Sequence, residues 1–203
     1  MTSSEQQQQQ HNAYLEIVLG PMFSGKSSFL QQQYTKYSLC NIPTLVINHT
    51  CDAPRYNDDL KVDNTYLITH DKHKIPCRYV SSLGDIESHV VESHVVFLIN
   101  EGQFFAELRD FVELLMEKNK IVFVCGLDGD FRRAKFGQML DIIPLSDKVT
   151  KLASVCVMCK QANKPAIFTM RTDSSQTQNQ VLVGGSESYK PVCRNCYVHE
   201  TSK

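Results

Sequence analysis

The sequence predicts an α/β fold, a parallel sheet flanked by helices, carrying a small cysteine-bound module at its C-terminal end. Three features predict it. Short β-branched apolar runs alternate with helix-length segments, a glycine-bearing loop joins the first run to the first helix, and two Cys-x-x-Cys pairs lie in the last third of the chain. Strands that alternate with helices build parallel sheets covered on both faces. The 203 residues, 42% of them hydrophobic, suit one good-sized domain with an appendage. A core of that size stands without covalent staples.

In chain order, residues 1–13 are expected to be a disordered tail. They include five consecutive glutamines (Gln6 to Gln10) and have no apolar stretch that would serve as a secretion signal. Tyr14 to Leu19 reads as a strand ending at Gly20, and Lys26 to about Tyr37, free of Gly and Pro, as a helix. Thr44 to Ile47 is a second short strand. The polar stretch from Thr50 to Pro76, with two prolines and Asn57-Asp58-Asp59, reads as loops or a small hairpin. His94 to Ile99 is β-branched enough for a buried parallel strand. Leu108, Phe111, Val112, Leu115 and Met116 then form one apolar stripe on a helix from about Ala106 to Lys118. Ile121 to Cys125 is the next buried strand. These elements assign residues 14–153 to the main domain and 154–200 to the C-terminal module.

Charge and hydropathy exclude some classes. The formal charge of −1 and the absence of a basic run argue against a broad nucleic-acid footprint. Arg132, Arg133 and Lys135 read as a short solvated group. The longest apolar stretches, Val95 to Ile99 and Ile121 to Val124, are far too short to cross a bilayer. A cytoplasmic protein with neither a nucleic-acid nor a membrane partner is the expectation.

Gly20-Pro21-Met22-Phe23-Ser24-Gly25-Lys26-Ser27 matches G-x-x-x-x-G-K-[ST] between a strand and a helix. The glycines let the backbone curl so that successive N–H groups point at phosphates. The helix that follows adds its positive end. Lys26 would reach the β- and γ-phosphates of ATP, and the Ser27 hydroxyl would ligate the accompanying Mg²⁺. The expected fold is therefore a phosphate-loop (P-loop) α/β domain.

Asn100 and Glu101 directly follow the third buried strand, where open parallel sheets place their ligands. A carboxylate there can take the proton of an attacking hydroxyl, which makes Glu101 the candidate catalytic base. P-loop proteins usually carry Asp where this chain has Asn100. An amide can orient a metal-bound water but adds no charge.

Of eight cysteines, Cys40, Cys51, Cys77 and Cys125 are scattered and read as ordinary thiols. Cys156, Cys159, Cys193 and Cys196 form two C-x-x-C pairs able to close tetrahedrally on a structural Zn²⁺. The segment between the pairs must form a hairpin or loop of its own.

Taken together these segments resemble the cellular (type II) thymidine kinase family, from Leu15 to Tyr197. The resemblance is carried by residues 20–27 and by Asn-Glu-Gly-Gln-Phe-Phe at 100–105. Leu-Asp-Gly-Asp-Phe at 127–131, Val-Cys-Val-Met-Cys at 155–159 and Val-Gly-Gly-Ser-Glu-Ser-Tyr at 183–189 extend it to the second cysteine pair. It implies transfer of the γ-phosphate of ATP to the 5′-hydroxyl of thymidine or deoxyuridine in nucleotide salvage for DNA synthesis. It also implies a homotetramer, with dTTP as feedback ligand. It assigns Glu101 as base, and places Arg55, Asn100 and Gln103 near the nucleotide. Met22, Phe104, Leu127 and Phe131 would line the thymine pocket. The loop from Gly184 to Tyr189, with Gln180, Val181, Leu182 and Val183 just upstream, would close over the nucleoside as a zinc-held lasso. Gln180 stands where an apolar residue is common in that family. Two other readings remain at this point. One is a zinc-bearing P-loop kinase or ATPase with another acceptor, and the other is a zinc-ribbon nucleic-acid binder.

Overall fold

The computed structural model describes residues 13–52, 66–68, 74–172, 180 and 188–202. Strand β1 (Tyr14–Leu19) leads through the glycine-bearing turn into helix α1 (Lys26–Leu39), which runs past the Tyr37 end expected from sequence. Strand β2 (Thr44–His49) follows. An antiparallel hairpin of β3 (Tyr66–Ile68) and β4 (Lys74–Pro76) stands where a small hairpin was expected. Strand β5 (Arg78–Val80) and helix α2 (Ser88–Ser93) have no counterpart in the sequence reading. Strand β6 (Val96–Ile99) starts later than His94, and helix α3 (Leu108–Glu117) starts later than Ala106. Strand β7 (Ile121–Gly126) completes the series of buried strands. Strand β8 (Lys148–Lys151) was also not anticipated.

These strands form one six-stranded sheet in the order β5-β2-β6-β7-β1-β8, and every neighbouring pair is parallel. The two-residue period of a strand sends alternate side chains to opposite faces. Ile17, Phe97, Ile99 and Val124 face α3, where Leu108, Val112 and Leu115 meet them. Val18, Leu98, Phe123 and Cys125 face α1, where Phe29, Leu30 and Tyr34 meet them. Each fully buried apolar side chain stabilises by about 1.5–3 kcal/mol, so the two layers together hold the sheet between the helices. All strands point the same way, so the ends of β1, β6 and β7 come out along one edge.

β1 carries a single acid in an apolar run. Glu16 is 4% exposed, and the edge strand satisfies it. It accepts from Thr150 Oγ1 at 3.1 Å and from the Tyr14 hydroxyl at 3.0 Å, and pairs with Lys148 at 2.8 Å. Burial, then the hydrogen bond to this carboxylate, push the Tyr14 hydroxyl up to about 12. A buried acid with three partners fixes the register of β8 against β1.

The C-terminal residues form two short antiparallel pairs and a helix. Strand β9 (Ser154–Val155) pairs with β10 (Pro165–Ala166), and β11 (Phe168–Arg171) pairs with β12 (Tyr189–Val192) before helix α4 (Arg194–Thr201). Cys156, Ala166, Val192, Cys193 and Tyr197 make a small core of their own, distinct from the two layers on the sheet.

Candidate active site

The turn after β1 curls tightly. Phe23 and Gly25 both adopt positive φ, 62° and 92°. Gly25 is the residue just before α1, a left-handed position that a side chain would strain. No side chain caps the first turn of α1 and no acid lies in it, so its N–H groups and positive end face the loop. Lys26 is buried, and its ammonium donates to the carbonyls of Pro21 at 2.8 Å and Gly20 at 3.1 Å. Burial pushes the Lys26 ammonium down from its ordinary value, and the charge of Glu101 is the foremost influence opposing it. Loop cation and candidate base are thus within electrostatic reach of each other.

Glu101 follows β6 in a left-handed conformation, φ 52°. For a residue with a Cβ this conformation costs on the order of 1 kcal/mol or more, and such strain concentrates at functional positions. It starts the tight turn Gly102–Phe104. Gln103, 3% exposed, reaches back and donates from Nε2 to Glu101 Oε2 at 2.5 Å. Its Oε1 accepts the Leu127 N–H at 2.9 Å, at the end of β7. Gln103 therefore ties the acid after β6 to Leu127 after β7.

Asn100 is buried and donates from Nδ2 to Asn48 Oδ1 at 3.3 Å. Asn48 in turn donates to Asp52 Oδ2 at 2.8 Å. Asp52 was not singled out by sequence. Its residue as a whole is exposed, yet its carboxyl turns onto buried Asn48. Burial first, and then the negative charge of Glu101, push that carboxyl up to about 7. The Asn100 Oδ1 and Ser24 Oγ atoms are buried with no hydrogen-bond partner among the described residues. Both sit on the loop side of the sheet edge, and an unpaired buried acceptor there suits a bound metal-water or phosphate.

Phe104 packs against His49, with ring centroids 5.5 Å apart, and edge-on against Phe136 at 5.6 Å. Met22 donates its N–H to Thr169 Oγ1 of β11 at 3.0 Å. The Phe131 carbonyl accepts the Tyr197 hydroxyl at 2.8 Å. Tyr189 is buried at the start of β12, opposite Arg171. The Arg171 guanidinium lies 5.3 Å from the Phe131 ring. Gln180 donates to Asp130 Oδ2 at 2.9 Å. Arg55, Val181, Leu182, Val183 and Gly184 lie outside the described residues.

The four paired cysteines come together. One Sγ from each of Cys156, Cys159, Cys193 and Cys196 lies within 4.8 Å of the others, with Cys159 and Cys193 3.9 Å apart. Four sulfurs around a tetrahedral Zn²⁺ at about 2.3 Å would stand about 3.8 Å apart, so the set fits a structural zinc ion with no position left open. Burial works against ionisation of Cys156, but backbone N–H groups around Cys159, Cys193 and Met158 hold it down to about 6, whereas burial and the neighbouring cysteines push Cys196 up to about 12. Donors aimed at a sulfur favour the thiolate a metal requires.

A family model described as thymidine kinase matches residues 13–197. A protein of that name from Yaba monkey tumor virus (strain VR587) is 37% identical over 186 residues, which is 92% of this chain and 95% of the relative. The thymidine kinase of Raccoon poxvirus is 36% identical over 190 residues, 94% of this chain and 99% of the relative. That of Vaccinia virus (strain Ankara) is 35% identical over 188 residues, 93% and 98% of the two chains. The parallel α/β sheet, the acid at its edge and these matches together define a kinase. The chain belongs to the thymidine kinase family.

Proposed function

We propose that this chain transfers the γ-phosphate of ATP to the 5′-hydroxyl of thymidine, or of deoxyuridine, giving dTMP for nucleotide salvage and DNA synthesis. The observation that carries this reading is Glu101, held by Gln103 on the same sheet edge as Lys26. Residues 20–27 act as the P-loop. Their amides and the first turn of α1 receive the ATP phosphates, and Lys26 leaves its contacts with the Gly20 and Pro21 carbonyls for the β- and γ-phosphates. Glu101 accepts the proton of the sugar hydroxyl as it attacks phosphorus. Arg55 belongs to the phosphate side in this reading.

Mg²⁺ carried with ATP supplies charge neutralisation between the phosphates. Ser27 would hold it, with Asn100 orienting a bound water through its unpaired Oδ1. Asn100 brings no charge, and Asp52, two hydrogen bonds away through Asn48, is the nearest acid on that network. The four cysteines hold a structural Zn²⁺ that keeps the C-terminal strands together.

Met22, Phe104, Leu127 and Phe131 line the flat pocket for thymine, which apolar and aromatic side chains suit. Residues 180–184 and Tyr189 close over the nucleoside from the C-terminal module, residues 154–200. The protein works in the cytoplasm as a homotetramer, and dTTP feeds back on it. No helix among the described residues is long and apolar enough to cross a membrane.

A γ-phosphate transfer assay against a panel of nucleosides, with and without a zinc chelator, tests the reading. Thymidine and deoxyuridine should be labelled and the other nucleosides not. Label on another acceptor, with none on thymidine, defeats it.

A further inference from the structure

We propose that the cysteine-bound C-terminal segment shapes the nucleoside pocket from behind, with Tyr197 as a positioning residue for Phe131. This rests on the reading above that Phe131 lines that pocket. The Tyr197 contact is distinct from the loop that closes over the nucleoside, because it acts on the turn of residues 130–135 in the main domain.

That turn is built around one buried carboxylate. Asp130 is 4% exposed, and its Oδ1 accepts the N–H groups of Arg132 at 2.9 Å and Ala134 at 2.8 Å. Its own N–H donates to the Ala134 carbonyl at 2.9 Å, and the Arg133 N–H to the Asp130 carbonyl at 2.9 Å. Arg133 sits at φ 66°, a left-handed conformation held by these bonds. The cage keeps the turn intact internally. It does not decide where the turn stands relative to the rest of the site.

Contacts from the C-terminal segment bear on that, beside the Lys135–Asp141 pair within the main domain. Tyr197, 4% exposed and next to Cys196, donates its hydroxyl to the Phe131 carbonyl at 2.8 Å. Gln180 donates to Asp130 Oδ2 at 2.9 Å and to the Lys135 carbonyl at 3.2 Å. The Arg133 guanidinium lies 4.5 Å from the centre of the Tyr197 ring and 5.6 Å from that of Phe168, while Arg171 covers the Phe131 ring. Tyr197 and Phe168 pack in the same small core as the cysteines, with rings 5.3 Å apart. A hydroxyl anchored in that core and bonded to a main-chain carbonyl fixes the peptide, and the Phe131 ring follows its peptide. Thr169 does the same on the other side by accepting the Met22 N–H. Two of the four proposed thymine-lining residues are thereby held by hydroxyls of the C-terminal segment.

The test uses Tyr197→Phe, Phe131→Ala and the double variant in the full-length protein, with zinc content and both substrates' KM measured. Tyr197→Phe keeps the ring and its packing and removes one hydrogen bond. The expected result is a thymidine KM raised about fivefold, with kcat, the ATP KM and zinc content within twofold of the parent. In the Phe131→Ala background the same change should add nothing, because the residue it positions is gone. A Tyr197→Phe effect that persists in full beside Phe131→Ala, an ATP KM that rises in step, or loss of zinc overturns the proposal. An unchanged thymidine KM in Tyr197→Phe, with a raised one in Phe131→Ala, overturns it too, while leaving the pocket reading intact. An unchanged thymidine KM in Phe131→Ala itself shows that the pocket reading has failed.

Discussion

Gln103 holds Glu101: the amide nitrogen of one meets a carboxylate oxygen of the other at 2.5 Å, and the amide oxygen is itself fixed by the Leu127 N–H at 2.9 Å. The acid is thus aimed by a side chain that has almost no exposure to water and two partners on different strands' ends.

Removing the acid's ability to take a proton should cost turnover. Glu101→Gln is expected to lower kcat by about 10²–10⁴-fold with a small change in ATP affinity, since proton acceptance matters during attack and little in the ground state. Steady-state kinetics and nucleotide titration check it. A loss of only a few-fold would assign the base elsewhere.

Loosening the acid's aim should cost less. Gln103→Met keeps the volume and removes both hydrogen bonds, so kcat should fall about 10- to 100-fold through misplacement alone. Thymidine and ATP binding, measured by titration, should change much less than kcat.

Asp52 gives a pH dependence of known sign. Its carboxyl is raised to about 7 in the folded chain, above its ordinary 3.8. Its contribution to stability is therefore full below the unfolded value and is lost as pH rises towards 7. Asp52→Asn should raise Tm more at pH 8 than at pH 5. Because the residue reaches the surface, water moderates the size of the effect, and the ordering of the two pH values is the measured outcome. A larger gain at pH 5 would contradict the burial of the carboxyl.

At position 100 the amide can be exchanged for the acid usual in P-loop proteins. Asn100→Asp should lower the half-saturating Mg²⁺ concentration by about thirtyfold, since one more charge about 4 Å from a divalent ion is worth about 2 kcal/mol even in water. It also removes the donor to Asn48 Oδ1, so the urea midpoint should drop. An unchanged Mg²⁺ requirement would place the metal away from this residue.

Gly137 stands at φ 56°, and a Cβ there would lie 2.1 Å from the Gln103 carbonyl oxygen. Gly137→Ala should destabilise by at least about 1–3 kcal/mol from the backbone conformation alone. Because the clash falls on Gln103, kcat should fall as well. Urea unfolding and kinetics on the same preparation separate the two effects.

The buried strands were legible because each is a β-branched run of strand length, and the apolar stripe of α3 because its spacing leaves no other period. The edge strands were not. β8 reads Lys-Val-Thr-Lys and β5 Arg-Tyr-Val, sequences without a buried run, because an edge strand is covered on few sides and carries charge as a guard against further pairing. α2, Ser-His-Val-Val-Glu-Ser, buries only Val91 and shows no stripe. In the site, Glu101, Lys26 and the four cysteines announce themselves by motif. Asp52 does not, since its importance comes from Asn48 and from the charge at 101. Tyr197 is likewise silent, and Gln180 is named only through the resemblance; their partners at 131 and 130 lie far away in sequence and are chosen only by folding.

β1 sits between β7 and β8, with Glu16 opposite both Phe123 and Lys148. During synthesis on the ribosome, an apolar strand made first must wait for both of its neighbours. At about 5–20 residues per second the delay before Gly126 is made is roughly 5–20 s. Until then the stretch from Leu15 to Leu19 has neither of the strands that flank it in the finished sheet, and unpaired strand edges favour aggregation. β1 is made before both strands that flank it, so its place in the sheet is completed only when residues 121–126 and 148–151 have followed.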